Sequence, residues 1–399
     1  MTDLFWPGDE RAGSLMSDAA FLSAQTSVEN AWLRVLVDAG VAPATAAADL
    51  GSLVSPSDCG VVALAAERDG NPVIGLLGLL RDRSGGETAR WVHRGLTSQD
   101  VIDTAMMLCL RDSINALKDQ LAAQVHTLAA LTETHNTPML ARTLTQPALP
   151  STMAAKLATW LTGVLDAADT VDRLPGLPAQ VGGAAGTLAA ATELTGSPTS
   201  TLALSEALAS TLGLTASPPW HTTRAVVTRL GDALVTCCDA WSHVANDVLV
   251  GSRAEIGEFA EAHGGGSSTM PHKNNPVLSV LIRRAALTTP FLAATLHASS
   301  AASIDERADG GWHVEWATLR TLARRTLAAA AQTSDLLAGL VIDTERARAN
   351  LEACGDVLAE QRSMTALTGR PALPGYTGAV DHLIEAVLQR ARHYLKAAT

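Results

Sequence analysis

Residues 98–135 read SQDVIDTAMMLCLRDSINALKDQLAAQVHTLAALTETH. Along this stretch Ile102, Met106, Leu110, Ile114, Leu117, Leu121, Val125, Leu128 and Leu131 recur every three or four residues. That is the period of an apolar stripe on one face of an α-helix. Thr97 followed by Asp100 has the spacing of a capping pair at its start. At 1.5 Å per residue the segment is ~57 Å long, more than the width of a small domain, so its stripe needs partner helices of similar length. The fold is expected to be all-α, built around a bundle of long antiparallel helices.

Moving outward, a second stripe follows Pro218-Pro219, where Val227, Leu230, Leu234, Cys237, Trp241, Val244 and Val248 keep the same spacing. A third helix is expected to begin at Pro276, because proline suits the first helical turn. A fourth is expected from about Trp312 to Leu340, and shorter helical signals occupy 151–173 and 200–213. Strand alternation is almost absent. Residues 1–97 read as an irregular N-terminal helical domain, with helical spacing from Phe21 to Val37 and breaks at Pro43, Pro56 and Pro72. Residues 98–340 form the central bundle. Residues 341–399 read as a small C-terminal helical domain, with a loop at Gly369, Pro371, Pro374 and Gly375 and a last helix from Asp381 to Lys396.

Composition narrows the classes. Of 399 residues, 47% are hydrophobic and 17% charged, which is rich enough in apolar side chains to bury a large core. The net charge is −11 and the basic residues are scattered, so no nucleic-acid partner is expected. The longest strongly apolar run, Val73 to Leu80, is interrupted by two glycines and far too short to span a bilayer. The first ten residues carry no basic stretch of the kind that opens a secretory leader. A soluble cytoplasmic protein with no membrane partner is expected. The five cysteines, Cys59, Cys109, Cys237, Cys238 and Cys354, are odd in number and form no C-x-x-C pair, which points to reduced thiols. The eleven histidines show no metal-ligand spacing, and neither a metal nor an organic cofactor is expected.

The richest chemistry lies in residues 264–276, GGGSSTMPHKNNP. Three glycines let backbone approach a ligand closely. Two hydroxyls, a lysine and a helix start follow, a combination that favours an anion, most simply a carboxylate. A loop carrying a serine over a bound anion has the make-up of a catalytic lid.

Residues 266–276 match throughout the G-S-S-x-M-P-x-K-x-N-P loop of the fumarase/aspartase superfamily, and the chain resembles that superfamily over nearly its whole length. His93-Arg94-Gly95-Leu96-Thr97-Ser98-Gln99-Asp100 is similar to the family segment H-x-G-x-T-S-x-D, which holds a substrate carboxylate at a helix start. Residues 142–150, RTLTQPALP, are similar to R-T-x-x-Q-x-A-x-P. Many lyases of the superfamily have a proton-handling histidine where this chain has Leu144, and leucine moves no proton. In the cycloisomerase branch that position is typically not histidine. Glu306-Arg307 followed by Gly311-Trp312-His313-Val314-Glu315-Trp316 also resembles that branch, as does Trp220-His221-Thr222-Thr223-Arg224. His272 stands where fumarases have glycine, and Asn71 where adenylosuccinate lyases tend to place an Arg-His pair. Gly182-Gly183-Ala184-Ala185-Gly186 reads as close helix or turn packing, with Gln180 a candidate substrate contact.

The resemblance implies a fumarase/aspartase-like fold of three helical domains. It implies a 3-carboxy-cis,cis-muconate cycloisomerase activity on a small tricarboxylate, with no cofactor and no metal. Ser267, Lys273 and His93 are then the candidate catalytic residues. Thr97, Ser98, Thr143, Gln146, Ser268, Asn275 and Arg307 are the candidate substrate-binding residues. Lys273 and the helix start after Asn275 would stabilise the alkoxide of Ser267. The family's tetrameric assembly implies a homotetramer with shared active sites. The alternatives are an adenylosuccinate lyase-like or other fumarate-releasing lyase, and a non-catalytic protein that keeps the fold.

Overall fold

The computed structural model describes residues 3–266, 268–270 and 273–398. In chain order the helices and strands are α1 (Asp18–Asp38), α2 (Cys59–Asp69), α3 (Pro72–Ser84), α4 (Gly86–Trp91), α5 (Ser98–Thr134), β1 (Pro138–Thr143), β2 (Gln146–Thr152), α6 (Met153–Asp172), α7 (Ala189–Thr195), α8 (Pro198–Leu212), α9 (Ala225–Gly251), β3 (Phe259–Glu261), α10 (Val277–Ala301), α11 (Gly310–Ala338), β4 (Leu340–Ile342), α12 (Thr344–Ala353), α13 (Ala359–Thr368) and α14 (Val380–Ala398). The helical fold expected from the stripes is present, and the four longest helices are α5, α11, α9 and α10.

The chain divides into two compact units. One comprises the residues up to Asn115 with Leu174–Asp232 and Phe291–Arg325. The other comprises Ala116–Arg173, Ala233–Pro290 and the chain from Thr326 onward.

In the first unit Trp32, Leu36, Leu76 and Leu80 are fully buried. Here α5 departs from a simple amphipathic helix. Every residue from Gln99 to Leu110 is buried, including Asp100, Asp103 and Thr104. A helix enclosed on all sides must satisfy its polar side chains from its neighbours, and that requirement shapes the site described below.

In the second unit the stripes behave as expected. Leu117, Leu121, Val125 and Leu128 of α5 are buried, as are Leu234, Cys237, Trp241, Val244 and Val248 of α9. Trp241 donates from Nε1 to Gln124 Oε1 at 2.7 Å, and Gln124 passes its own amide hydrogen to the Ala330 carbonyl at 3.0 Å. Trp241 and Gln124 thus satisfy polar atoms inside this core.

Two features depart from the expected pattern. β1 and β2 pair as an antiparallel hairpin where no strand alternation was visible. Pro138, Pro147 and Pro150 break the two-residue period there, and the ladder shifts register between Leu140 and Arg142. The other departure is α10, the one helix among the described residues long and apolar enough to cross a membrane, with a third of its apolar window buried. Val280 is 51% exposed, Leu287 64% and Phe291 74%.

Candidate active site

In the first unit the site is built on the start of α5. The Thr97 amide donates to Asp100 Oδ2 at 2.9 Å, which is the expected capping contact. Asp100 does far more than cap. Its Oδ1 accepts from the Gly182 amide at 2.9 Å and from His221 Nε2 at 3.0 Å, and its Oδ2 accepts from the Gly183 amide at 2.9 Å. A Cβ on Gly182 would collide with the His221 ring, so the backbone reaches the carboxylate only because that residue is glycine. The turn packing expected of Gly182-Gly183 is therefore present. Gln180 is fully buried and accepts from the Trp220 amide at 2.8 Å.

One helical turn further on, Asp103 receives Arg224 through both guanidinium arms at 2.7 and 3.1 Å and the Trp312 indole at 2.9 Å. Arg224 also donates from Nε to Glu315 at 3.1 Å. Burial pushes the Glu315 carboxyl above its ordinary range, against the pull of Arg224. Trp312 lies beneath Arg307, whose guanidinium carbon is 5.7 Å from the ring centroid. Arg307 in turn donates to Thr97 Oγ1 at 2.7 Å. The structure thus brings Arg307, Thr97 and Ser98 to one turn, although 210 residues separate Arg307 from Thr97. A guanidinium, two hydroxyls and a helix N-terminus are carboxylate-binding chemistry. His93 lies four residues before Thr97, with its ring held at 2.6 Å by Glu29.

In the second unit Thr143 and Gln146 form the last pair of the β1–β2 hairpin, around the two-residue turn Leu144-Thr145. Both turn residues have positive φ, 49° and 68°. Such turns favour Asn-Gly, and a leucine followed by a β-branched threonine is strained there. Leu144 is 96% exposed. Arg142, at the base of the hairpin, pairs through both arms with the buried Glu258 at 2.8 and 2.9 Å, and Asn350 adds a third bond at 2.8 Å. A cavity of about 810 Å³ beside it includes Arg142, Lys156, Asp247 and Glu258 in its lining. Two ion pairs line it, Arg142 with Glu258 and Lys156 with Asp247.

The same unit holds the glycine-rich loop. Gly265 and Asn275 exchange two backbone hydrogen bonds of 2.8 Å across its neck. A Cβ on Gly264 would strike the Asn274 amide, and one on Gly265 would strike Val277, so both glycines are required by close approach. Ser268 and Lys273 are exposed, and Asn275 is half-buried with its amide 3.4 Å from the Gly266 carbonyl. Ser267, Pro271 and His272 lie outside the described residues.

One expectation is corrected. The start of α10 does not stand ready for an anion. Glu261 already occupies it, accepting from the Leu278 amide at 3.0 Å and from the Ser279 amide and hydroxyl at 2.8 Å each. A carboxylate is the natural cap for unpaired amides, so the helix start is spent on folding. Glu258 and Glu261, three residues apart on and beside β3, thus anchor the hairpin and α10 respectively. Neither was singled out from the sequence.

Comparison with known proteins gives concordant matches. Residues 60–288 match the model of a family described as lyase. A nitrosuccinate lyase from Streptomyces davaonensis is 41% identical over 88% of this chain and 77% of its own length. A 3-carboxy-cis,cis-muconate cycloisomerase from Bradyrhizobium diazoefficiens is 38% identical over 94% of this chain and 83% of its own. Among solved structures, the 3-carboxy-cis,cis-muconate lactonizing enzyme from Pseudomonas putida superposes with a TM-score of 0.83 at 32% identity, covering 97% of this chain and 87% of that one.

Proposed function

Because the chain belongs to this lyase family, within the fumarase/aspartase superfamily, we propose that it acts as a 3-carboxy-cis,cis-muconate cycloisomerase. The observation that sets this reading apart from histidine-dependent lyases is Leu144, 96% exposed at the tip of a strained hairpin. Backbone strain of this kind persists where function requires the geometry, and a leucine there implies a reaction that needs no proton transfer from that position.

Lactonisation meets that requirement. A carboxylate oxygen of the substrate adds to its own double bond, so a C–O bond forms as the π bond breaks. The electron pair moves to the neighbouring carbon and its attached carboxylate, and a proton delivered to that carbon completes the reaction. No group leaves. Ser267 is the proposed proton donor to carbon, with Ser268 as its neighbour in the same loop. Lys273 stabilises the serine alkoxide without help from the α10 helix start. Thr97, Ser98 and Arg307 grip one carboxylate, and Thr143, Gln146 and Asn275 serve the others. His93 completes the catalytic set. The exposed face of α10 is proposed to be covered by further copies of the chain in a homotetramer, because contiguous apolar surface of that kind marks an interface.

A second reading is favoured by the nitrosuccinate lyase at 41% identity. A base removes the proton beside one carboxylate of nitrosuccinate, the C–N bond breaks, and nitrite departs as fumarate forms. Nitrite is a weak base and leaves without being protonated, so this reaction also dispenses with a histidine at position 144. The test is a parallel turnover assay offering 3-carboxy-cis,cis-muconate, nitrosuccinate and adenylosuccinate. Loss of the muconate diene absorbance alone supports the proposal. Nitrite release alone replaces it with the second reading. Turnover of adenylosuccinate overturns the significance given to Leu144.

A further inference from the structure

His93 has an environment that the proposed reaction does not yet explain. Its Nδ1 lies 2.6 Å from Glu29 Oε1, although Glu29 is 64 residues away on α1. Glu29 is completely buried, and its second oxygen has no partner among the described residues. The His93 side chain keeps 15% exposure, and no described protein group bonds its Nε2. The backbone at His93 is left-handed, with φ of 68°, which a non-glycine residue adopts at a cost of about 1–3 kcal/mol. Two contacts hold it there. Trp32 on α1 donates to the Arg94 carbonyl at 2.7 Å, and Gly95 packs directly against Ala191. Two residues beyond Gly95 is Thr97, already bound by Arg307.

A carboxylate on one imidazole nitrogen fixes the orientation of the ring and commits the other nitrogen to a ligand. We propose that Glu29 and His93 form a dyad that shares one proton and presents Nε2–H to the substrate carboxylate bound at Thr97. In this arrangement the pair holds two protons, one on Nε2 that faces the ligand and one between Nδ1 and Glu29 Oε1, and an anionic carboxylate at Nε2 favours it over the arrangement in which Nε2 is bare. No covalent step is assigned to the dyad. It stabilises the charge that develops on the carboxylate as the neighbouring carbon takes up the electron pair, a role that serves lactonisation and nitrite elimination alike. Glu29 is the positioning residue and His93 the group that touches substrate.

The inference rests on the proposed function, so it is tested on whichever substrate the wild-type protein turns over in the assay above. His93→Ala should lower kcat about 100-fold with a smaller rise in KM. His93→Gln, whose amide can reach the Nε2 position with a donor, should recover to within about tenfold of wild type. Glu29→Gln should lower kcat about tenfold, and the double variant with His93→Ala should be no worse than His93→Ala alone, because the pair acts as one unit. Wild-type kcat in His93→Ala, His93→Gln no better than His93→Ala, or additive effects in the double variant would each overturn the dyad. If a Glu29 variant does not fold, the contrast between His93→Gln and His93→Ala decides. If the wild-type protein turns over no substrate offered, the function reading fails separately, and citrate binding tests the dyad as a tricarboxylate probe. His93→Ala should then weaken citrate by about tenfold, and unchanged affinity overturns the proposal.

Discussion

The turn at the start of α5 and the glycine-rich loop before α10 carry most of the side chains proposed to meet substrate, and they are held in opposite ways. At the turn, Asp100 and Asp103 are buried and collect backbone amides, His221, Arg224 and Trp312 around one helical turn. At the loop, Gly265 and Asn275 close the neck, while Ser268 and Lys273 stand exposed. The difference separates two tasks. A binding surface gains from donors already fixed in place, because little ordering remains to oppose the ligand. Under the proposed function, a loop that transfers a proton has to admit the substrate before its serine meets it.

This contrast can be broken most sharply at the loop. Ser267→Ala should reduce turnover roughly 10³-fold while KM changes little and the helical circular dichroism is kept. Retained activity would move proton transfer to Ser268 and remove the division of labour. At the turn, the largest effect should fall on stability instead. Arg224→Met leaves Asp103 and Glu315 buried without their cation, and should cost about 3–5 kcal/mol in urea unfolding. A loss below about 1 kcal/mol would mean that the buried network does not hold the turn. Lys273→Met should then weaken kcat/KM about tenfold with unfolding unchanged, since the side chain is exposed and its charge is proposed to serve the ligand. A lowered melting temperature would make Lys273 part of the scaffold. The smallest effect is expected at the hairpin tip. Leu144→Asn should raise stability by about 0.4–1 kcal/mol, because asparagine tolerates the left-handed backbone better. Lost turnover in that variant would show that Leu144 itself touches the substrate or a neighbouring copy.

Much of the frame was legible without coordinates. The stripes that place α5, α9 and α11 are local, and their boundaries fall within a few residues of those observed. The pairing of Thr97 with Asp100 was legible for the same reason. The β1–β2 hairpin was not, because its prolines disrupt the alternation and its turn lacks the usual Asn-Gly. Glu29 left a signal that was passed over. It sits on the buried side of α1 with Leu22, Gln25, Trp32, Leu33 and Leu36, where a carboxylate needs a partner. Glu261 left none, since nothing in its neighbours marks it as the cap of a helix beginning sixteen residues later.

By itself the sequence determined the helical architecture and the family to which the loop motif points, because helical period and a contiguous motif both act over short chain separations. The tertiary structure decided which buried charges meet. Asp103 finds Arg224 across 121 residues, Glu29 finds His93 across 64, and the α10 helix start is filled by Glu261 rather than left for substrate. Such pairings follow from desolvation. A charge enclosed by the fold must be met by whatever group the packing brings within reach, and chain distance carries no record of that group.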